Sequence, residues 1–390
     1  MKIALIGTRG VPARYGGFET AVEEVGRRLV DRGHQVTVYC RGGGADAPAR
    51  HLGMDLVHLP AVRHRTAETL SHTTLSVLHQ ALRPADVAIV FNAANAPLLP
   101  VLRARRIPTA VHVDGLEWQR GKWGRAGRAW YRRSERLAVR LADALIADAR
   151  GIQDYYRQHH GAPSWFIPYG APDTAAVGSD KLAGYDLRPD GYHLVVARME
   201  PENHVHLSVQ GYVRSRAELP LVVVGGAPYD NGYGADVRAA AGGDPRVRFL
   251  GPVWDQDALD QLYAHSRTYL HGHSVGGTNP SLLRAAGAAA PVTAFDVAFN
   301  REVVAEEGRY FSTADHVAEA LHEAEDDPSA TAGRGRRARE LVLRRYCWDA
   351  VTEDYEQLLE ATRAGTGHRP TGSCAAPAAP LSYASAHDDG

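Results

Sequence analysis

The chain has 390 residues, 44% of them hydrophobic, and a formal net charge of -1. That length exceeds what one hydrophobic core organises, so two domains are expected, and no run of about eighteen apolar residues is present to span a membrane. Its three cysteines, Cys40, Cys347 and Cys374, are far apart and lack CxxC spacing, which argues against a disulfide framework or a zinc site and for a reduced, cytoplasmic setting.

The opening MKIALIGTRG has one lysine and a short apolar run ending in glycine, which reads as a first β-strand rather than a signal peptide. Strands are predicted at Lys2–Gly7, Gln35–Cys40, Asp55–Leu59, Asp86–Phe91, Thr109–Val113, Ala144–Ala147 and Trp165–Ile167, with helices such as Glu19–Arg32 and Arg125–Leu141 between them. The pattern restarts with HLVVARM, LPLVVVGG, RVRFLGPV, RTYLHGH and APVTAFD. Alternating strands and helices predict parallel sheets covered on both faces, hence two Rossmann-like α/β domains. The break is placed in Tyr169–Tyr192, rich in Gly, Pro, Ala and Asp. From Gly365 the tail is poor in bulky residues and is expected to be disordered. Charge divides with the halves. Residues 1–167 carry 24 basic and 14 acidic side chains, the remainder 20 and 31, so the basic half is expected to face an anionic partner.

Open parallel sheets bind ligands at the carboxyl ends of their strands, and five stretches there carry chemistry. IGTRGVPARYGGFETAVEEVG (6–26) joins Arg9 and Arg14 to glycines and a helix start, a setting for an anion; its glycines do not make GxGxxG. VHVDGLEWQRGKWGR (111–125) brings His112, Asp114 and Glu117 to a strand end, residue types that act as acid, base or partner to sugar hydroxyls. From Arg120 to Arg140 eight basic residues and one acid, Glu135, interleave with Trp118, Trp123, Trp130 and Tyr131; this suits contact with an anionic membrane, whereas no nucleic-acid motif accompanies it. VVARMEPENHVH (195–206) sets Arg198 where it can hold phosphate. In HGHSVGGTNPSLLRAAG (271–287), Gly276 and Gly277 bare the backbone, Asn279 suits an N-cap and Pro280 a first turn, which together make a diphosphate site.

In this order these segments, with IPYGA, FLGPVWD, AFDVAFNREVV and YCWDAVTEDYEQLLE, resemble family 4 glycosyltransferases of the GT-B fold, in the bacterial branch described as rhamnosyltransferases, over residues 1 to about 364. The resemblance implies two Rossmann-like domains facing across a cleft: an acceptor domain at 1–168, completed by a crossover helix within 346–364, and a nucleotide-sugar domain at 169–345. It also implies transfer with retention and no metal or other cofactor. By motif position, Gly16 and Gly17 lie against the donor phosphates, and His112 or Asp114 approaches the sugar. Arg198 and the Gly276–Gly277–Thr278–Asn279 loop hold diphosphate, and Val253–Trp254 meets the nucleobase. Arg9, Arg14, Tyr15 and Glu117 fall to the acceptor side. The sequence departs from the family at three positions. Gly276 and Arg284 stand where many members have two glutamates, the second on the ribose, and Asn203 stands where many have a lysine. Arg284 is therefore expected to replace that lysine's charge at the donor site.

The reading is a cytoplasmic enzyme at the inner face of the plasma membrane, moving a sugar such as rhamnose from a nucleotide-diphosphate donor to a lipid-linked or polysaccharide acceptor, with electrostatic stabilisation of the departing diphosphate. Three alternatives compete with it. A catalytically impaired nucleotide-sugar-binding scaffold is motivated by Gly276 and Arg284. A nucleotide-sugar 2-epimerase would not need the basic aromatic segment. An NAD-dependent oxidoreductase is disfavoured by the broken glycine pattern and by Cys40-Arg41 at the end of the second strand.

Overall fold

A computed structural model describes residues 1–13, 17–43, 47–62, 64, 67–113, 115–121, 123–226 and 232–368. Contacts divide the chain into two units, one built from residues 1–171, 275–280 and 346–368, the other from 172–274 and 281–345.

In chain order the first unit contains β1 (Lys2–Ile6), α1 (Gly17–Asp31), β2 (Gln35–Arg41), β3 (Arg50–His51), β4 (Met54–Leu59), α2 (Glu68–Leu82), β5 (Val87–Phe91), α3 (Leu99–Ala104), β6 (Thr109–His112), α4 (Arg125–Leu141), β7 (Ala144–Ala147), α5 (Arg150–His160) and β8 (Trp165–Phe166). The strands form one sheet in the order β3-β4-β2-β1-β5-β6-β7-β8. Every pairing is parallel except that of β3 with β4. Strands such as KIALI and VAIVF are apolar on both sides because helices cover both faces of the sheet. The path runs outward from β1 through β2 to β4, then returns to β5 on the other flank. Right-handed crossovers therefore put α2, α3, α4 and α5 on one face and α1 on the other.

The second unit continues with β9 (His193–Val196), α6 (Val205–Arg214), β10 (Leu221–Val224), α7 (Tyr233–Ala241), β11 (Val247–Gly251), α8 (Gln256–Ala264), β12 (Thr268–His271), α9 (Pro280–Gly287), β13 (Val292–Phe295), α10 (Ala298–Val304), β14 (Arg309–Phe311), α11 (Ala314–Asp326) and α12 (Pro328–Arg345). Its sheet, β11-β10-β9-β12-β13-β14, is parallel throughout. Val195, Leu221, Val223 and Leu270 from its strands pack with Val205, Val209 and Tyr212 of α6 and with Val317 and Leu321 of α11.

The last helix, α13 (Trp348–Arg363), belongs to the first unit and packs on α1, β5 and β6. Trp348, Val351, Tyr355, Leu358 and Leu359 recur at helical spacing and are buried. Arg28 reaches Asp349 (2.9 Å), and Arg32 and His34 both reach Glu356 (2.7 Å). A Cβ on Gly170 would lie 2.2 Å from the Trp348 ring, so the chain passes directly beneath that indole. Beside it the Ala171 amide donates to the Tyr346 carbonyl (2.7 Å).

Three expectations need correction. The division falls after Ala171 rather than 168, because this pairing with Tyr346 ties Tyr169–Ala171 to the first unit. Residues 275–280, expected with the nucleotide-sugar domain, group with the first unit. Residues 365–368, expected as disordered tail, are held in place: the Trp165 indole donates to the Gly367 carbonyl (2.7 Å) and the Thr366 amide to the Ala361 carbonyl (2.8 Å). Residues 369–390, with Cys374, lie outside the described residues.

Candidate functional site

In each unit the sequence motifs gather at the carboxyl ends of the strands, near the point where strand order reverses: between β1 and β5 in the first, between β9 and β12 in the second.

In the first unit, His112 ends β6 and is fully buried. Its ring stacks on Phe91 (centroids 5.5 Å, 21°) and Tyr169 (6.3 Å, 24°), and Phe18 meets it edge-on (5.0 Å). Neither ring nitrogen has a hydrogen-bond partner among the described residues. Burial drives its pKa down to about 3, so the ring is neutral and offers one N–H donor and one acceptor. Buried polar atoms are ordinarily hydrogen-bonded, and His112 shares the exception with His72, whose two ring nitrogens also lack a partner among the described residues.

The loop after β1 is braced by the helix that follows. Glu19 accepts from the Arg9 amide (2.9 Å) and Glu23 from the Ala13 amide (2.8 Å). Gly7 and Gly10 are in the left-handed region (φ 102° and 99°). Side chains there would strike the Phe91 carbonyl oxygen and Cys40 Sγ, each at 2.5 Å. The Arg9 guanidinium pairs with Glu68 at the start of α2 (3.2 Å). Arg41, the last residue of β2, approaches the same carboxylate (3.5 Å) and donates to Thr69 Oγ1 (3.0 Å). Sequence reading used Arg41 only to argue against a dinucleotide enzyme and missed this cluster. Its signal was there: a cation at a strand end one strand from Arg9. Arg14, Tyr15, Gly16 and Asp114, assigned to acceptor, donor or catalysis, lie outside the described residues.

Glu117 is not presented as an open acceptor ligand. It is buried in a short helical turn (Glu117–Gln119) and ion-paired with Arg120. Gly115 and Gly277 are required by close packing. A Cβ on Gly115 would lie 2.4 Å from the Gly276 Cα, and one on Gly277 would lie 2.0 Å from Asp148 Oδ1. The Thr278 hydroxyl donates to the Asp148 carbonyl (2.6 Å), so this loop is seated on the end of β7. Gly17 opens α1, and Asn279 directly precedes α9.

In the second unit Arg198 follows β9. Its side chain is exposed and makes no ion pair or hydrogen bond among the described residues. Its carbonyl accepts from Asn203 Nδ2 (2.8 Å), and Asn203 Oδ1 faces His273 Nδ1 (2.8 Å). Asn203, assigned to the donor, is thus a buried brace holding the Arg198 loop to the segment after β12; its side chain is taken up within the protein. Asn300, missed in the sequence, extends the brace by donating to the His273 carbonyl (3.0 Å). Arg284 donates to Asp260 on α8 (2.8 Å) from a largely buried position. The expectation that it replaces the missing lysine is corrected: its guanidinium is paired with Asp260 inside the unit. Trp254 lies between β11 and α8 and is 65% exposed. Among the described residues no group of His, Cys, Asp or Glu is arranged to hold a metal ion.

Three buried histidines set an acid limit. Burial lowers His72 to about 4 and His112 and His271 to about 3, against an ordinary value of 6.5. The unfolded chain therefore binds protons that the folded chain refuses. Their contribution is complete above pH 6.5 and is lost as pH falls from there towards 4. Each steepens the loss by ~1.4 kcal/mol per pH unit. Urea unfolding at stepped pH should show stability falling below pH 6.5, with a shallower slope in His112→Phe; an unchanged slope in that variant would remove His112 from the set.

On α4, Arg125, Arg128, Arg132, Arg133, Arg136 and Arg140 are exposed, and none forms an ion pair among the described residues. The helix's one acid, Glu135, points inward, where the Tyr155 hydroxyl donates to it (3.2 Å) and burial raises its pKa to about 7. Arg132 lies over the Trp118 ring (4.4 Å), and Trp130 is 42% exposed. No described helix is long and apolar enough to cross a membrane.

Two Rossmann-like units, each with its motifs at the strand ends, are the architecture of GT-B enzymes. Residues 16–170 match the glycosyl transferase 4-like domain and residues 191–327 the glycosyl transferases group 1 domain. The chain belongs to the family 4 glycosyltransferases, and it is a glycosyltransferase. It is 27% identical to a GDP-mannose-dependent alpha-(1-6)-phosphatidylinositol monomannoside mannosyltransferase of Mycobacterium tuberculosis, over 90% of this chain and 96% of the relative. It is also 27% identical to the O-antigen chain mannosyltransferase B of Escherichia coli, over 37% of each chain. Among solved structures, sucrose-phosphate synthase from Thermosynechococcus elongatus superposes with a TM-score of 0.79 (19% identity, 93% of this chain and 99% of that one). HepE of Anabaena, in complex with UDP-glucose, does so with 0.77 (17% identity, 93% and 100%).

Proposed function

We propose that the enzyme transfers a sugar from a nucleotide-diphosphate donor to a lipid-linked or polysaccharide acceptor, with retention of anomeric configuration and without a metal. The observation that carries this is His112, a neutral imidazole whose two buried nitrogens have no protein partner among the described residues. It is suited to a ligand hydroxyl and unsuited to a phosphate. Arg198 supplies the complementary function, an exposed guanidinium for the diphosphate. In the reaction the bond from the sugar C1 to the diphosphate oxygen breaks and a bond from C1 to the acceptor oxygen forms. The acceptor's proton leaves with the departing diphosphate. Charge grows on that diphosphate, where the Arg198 guanidinium stabilises it, so no metal ion is needed for that task. The relative that uses GDP-mannose and the neighbour that holds UDP-glucose support a nucleotide-sugar donor. Resemblance of the motif segments to the rhamnosyltransferase branch favours rhamnose from dTDP-rhamnose, and Trp254, exposed between β11 and α8, would stack on the base. The arginine face of α4 would bring the enzyme to an anionic membrane, at the inner face of the plasma membrane, where a lipid-linked acceptor resides.

Thermal shift against dTDP, UDP and GDP and their sugars, with and without EDTA, tests this reading. A ligand that binds only the folded state raises Tm by mass action. A dTDP-selective shift that survives EDTA is expected. Selectivity for GDP would replace rhamnose by mannose, loss of the shift in EDTA would overturn metal independence, and no shift with any nucleotide would sink the donor assignment.

A further inference from the structure

Helix α2 is inverted relative to an ordinary surface helix. Its buried side carries His72, Thr73, Ser76 and Gln80 together with Val77. There the Tyr39 hydroxyl donates to Gln80 Oε1 and the Ser76 hydroxyl to the His72 carbonyl, both at 2.8 Å. Its outer side exposes Leu75 (38%), Leu78 (50%) and Leu82 (82%). Spacings of three and four put these leucines on one stripe. Single exposed leucines are ordinary, but an aligned stripe marks a surface with a partner. α2 touches α3, which touches α4, and the crossovers place all three on one face of the sheet. The stripe therefore shares its side of the unit with the arginines of α4 and with exposed Trp130.

We infer that the leucine stripe of α2 inserts into the surface of an anionic lipid leaflet while the arginines of α4 hold the headgroups. The inference deepens, and rests on, the reading of a lipid-linked acceptor. Apolar side chains on the same face of the sheet as arginines that form no ion pair among the described residues, and as an exposed tryptophan, match the acyl boundary and the charged headgroups together. A second copy of the chain fits less well. A two-fold contact through α2 would bring the two arginine faces towards each other, with no exposed acid on α4 to offset them.

The test is co-sedimentation of the full chain with vesicles of phosphatidylcholine, with and without phosphatidylglycerol, beside Leu78→Gln/Leu82→Gln and Arg133→Ser/Arg136→Ser. Wild type is expected on the anionic vesicles. The leucine variant loses about tenfold in partitioning, keeps its donor thermal shift and melts no lower. The arginine variant loses binding and part of its salt dependence. Wild-type partitioning in the leucine variant, or no vesicle binding by a wild-type protein that shows the donor shift, would overturn the inference. So would a wild-type dimer that the leucine variant converts to monomer with vesicle binding unchanged. Vesicle binding without any donor shift would defeat the proposed reaction and leave this surface standing.

Discussion

Arg198→Ala lowers kcat/KM by about 10²–10³-fold and abolishes the thermal shift with nucleoside diphosphates. The side chain is exposed, lacks a protein partner among the described residues and follows β9 at the strand-order reversal of its sheet. Its removal leaves no buried group unsatisfied, so Tm without ligand changes little. The loss divides between the two kinetic constants. Some binding to the ground-state diphosphate goes, but the charge on the leaving group grows in the transition state, so kcat falls more than KM rises. Arg198→Lys recovers only part, because an ammonium cannot make the paired, planar contact. An alanine variant with the wild-type nucleotide shift would show that the diphosphate is held elsewhere, and Arg284 could not be the substitute while it remains paired with Asp260.

His112→Phe is expected to separate activity from stability in the opposite direction. Phenylalanine preserves the ring stack with Phe91 and Tyr169 and removes two buried nitrogens that have no partner among the described residues. The folded state loses a desolvation penalty, so Tm holds or rises. Activity falls by about 10²–10⁴-fold if the imidazole exchanges a proton or a hydrogen bond with the reacting sugar. The pH profile of the wild-type enzyme provides a second check. With a pKa near 3, His112 contributes no ionisation step to kcat/KM between pH 5 and 9. A variant that keeps full activity would make this histidine a packing residue.

Most of the architecture could be read from pattern because parallel sheets announce themselves as short apolar runs between helical periods. Twelve of the fourteen strands in the described residues coincide with predicted ones. The exceptions are instructive. β3 is a two-residue polar edge, Arg50–His51, and β14 is Arg-Tyr-Phe, too short and too mixed for a period to register. The candidate site was legible only as a set of loops at strand ends. It was not legible to the level of which side chains are available, because availability depends on partners remote in sequence. Arg284 meets Asp260 on another helix, Asn203 meets His273 seventy residues on, and Arg9 meets Glu68 across two strands. Each looked open for a ligand until the fold supplied its partner. His112 is the reverse case: a strand histidine whose nitrogens the core leaves unmet.

The interleaved course of the chain has a consequence for its synthesis. The first unit is sealed by α13, whose Trp348 closes over Gly170, yet the ribosome delivers that helix only after the whole second unit. At about 5–20 residues per second, roughly nine to thirty-five seconds separate the emergence of Ala171 from that of Tyr346. During that interval the seat for α13, on α1 and the strands beneath it, waits as an apolar groove on a nearly finished domain. The first unit stays open until the ribosome has passed the end of the second. Nascent chains stalled before residue 346 are therefore the ones a chaperone should hold, and the arrival of α13 should release them.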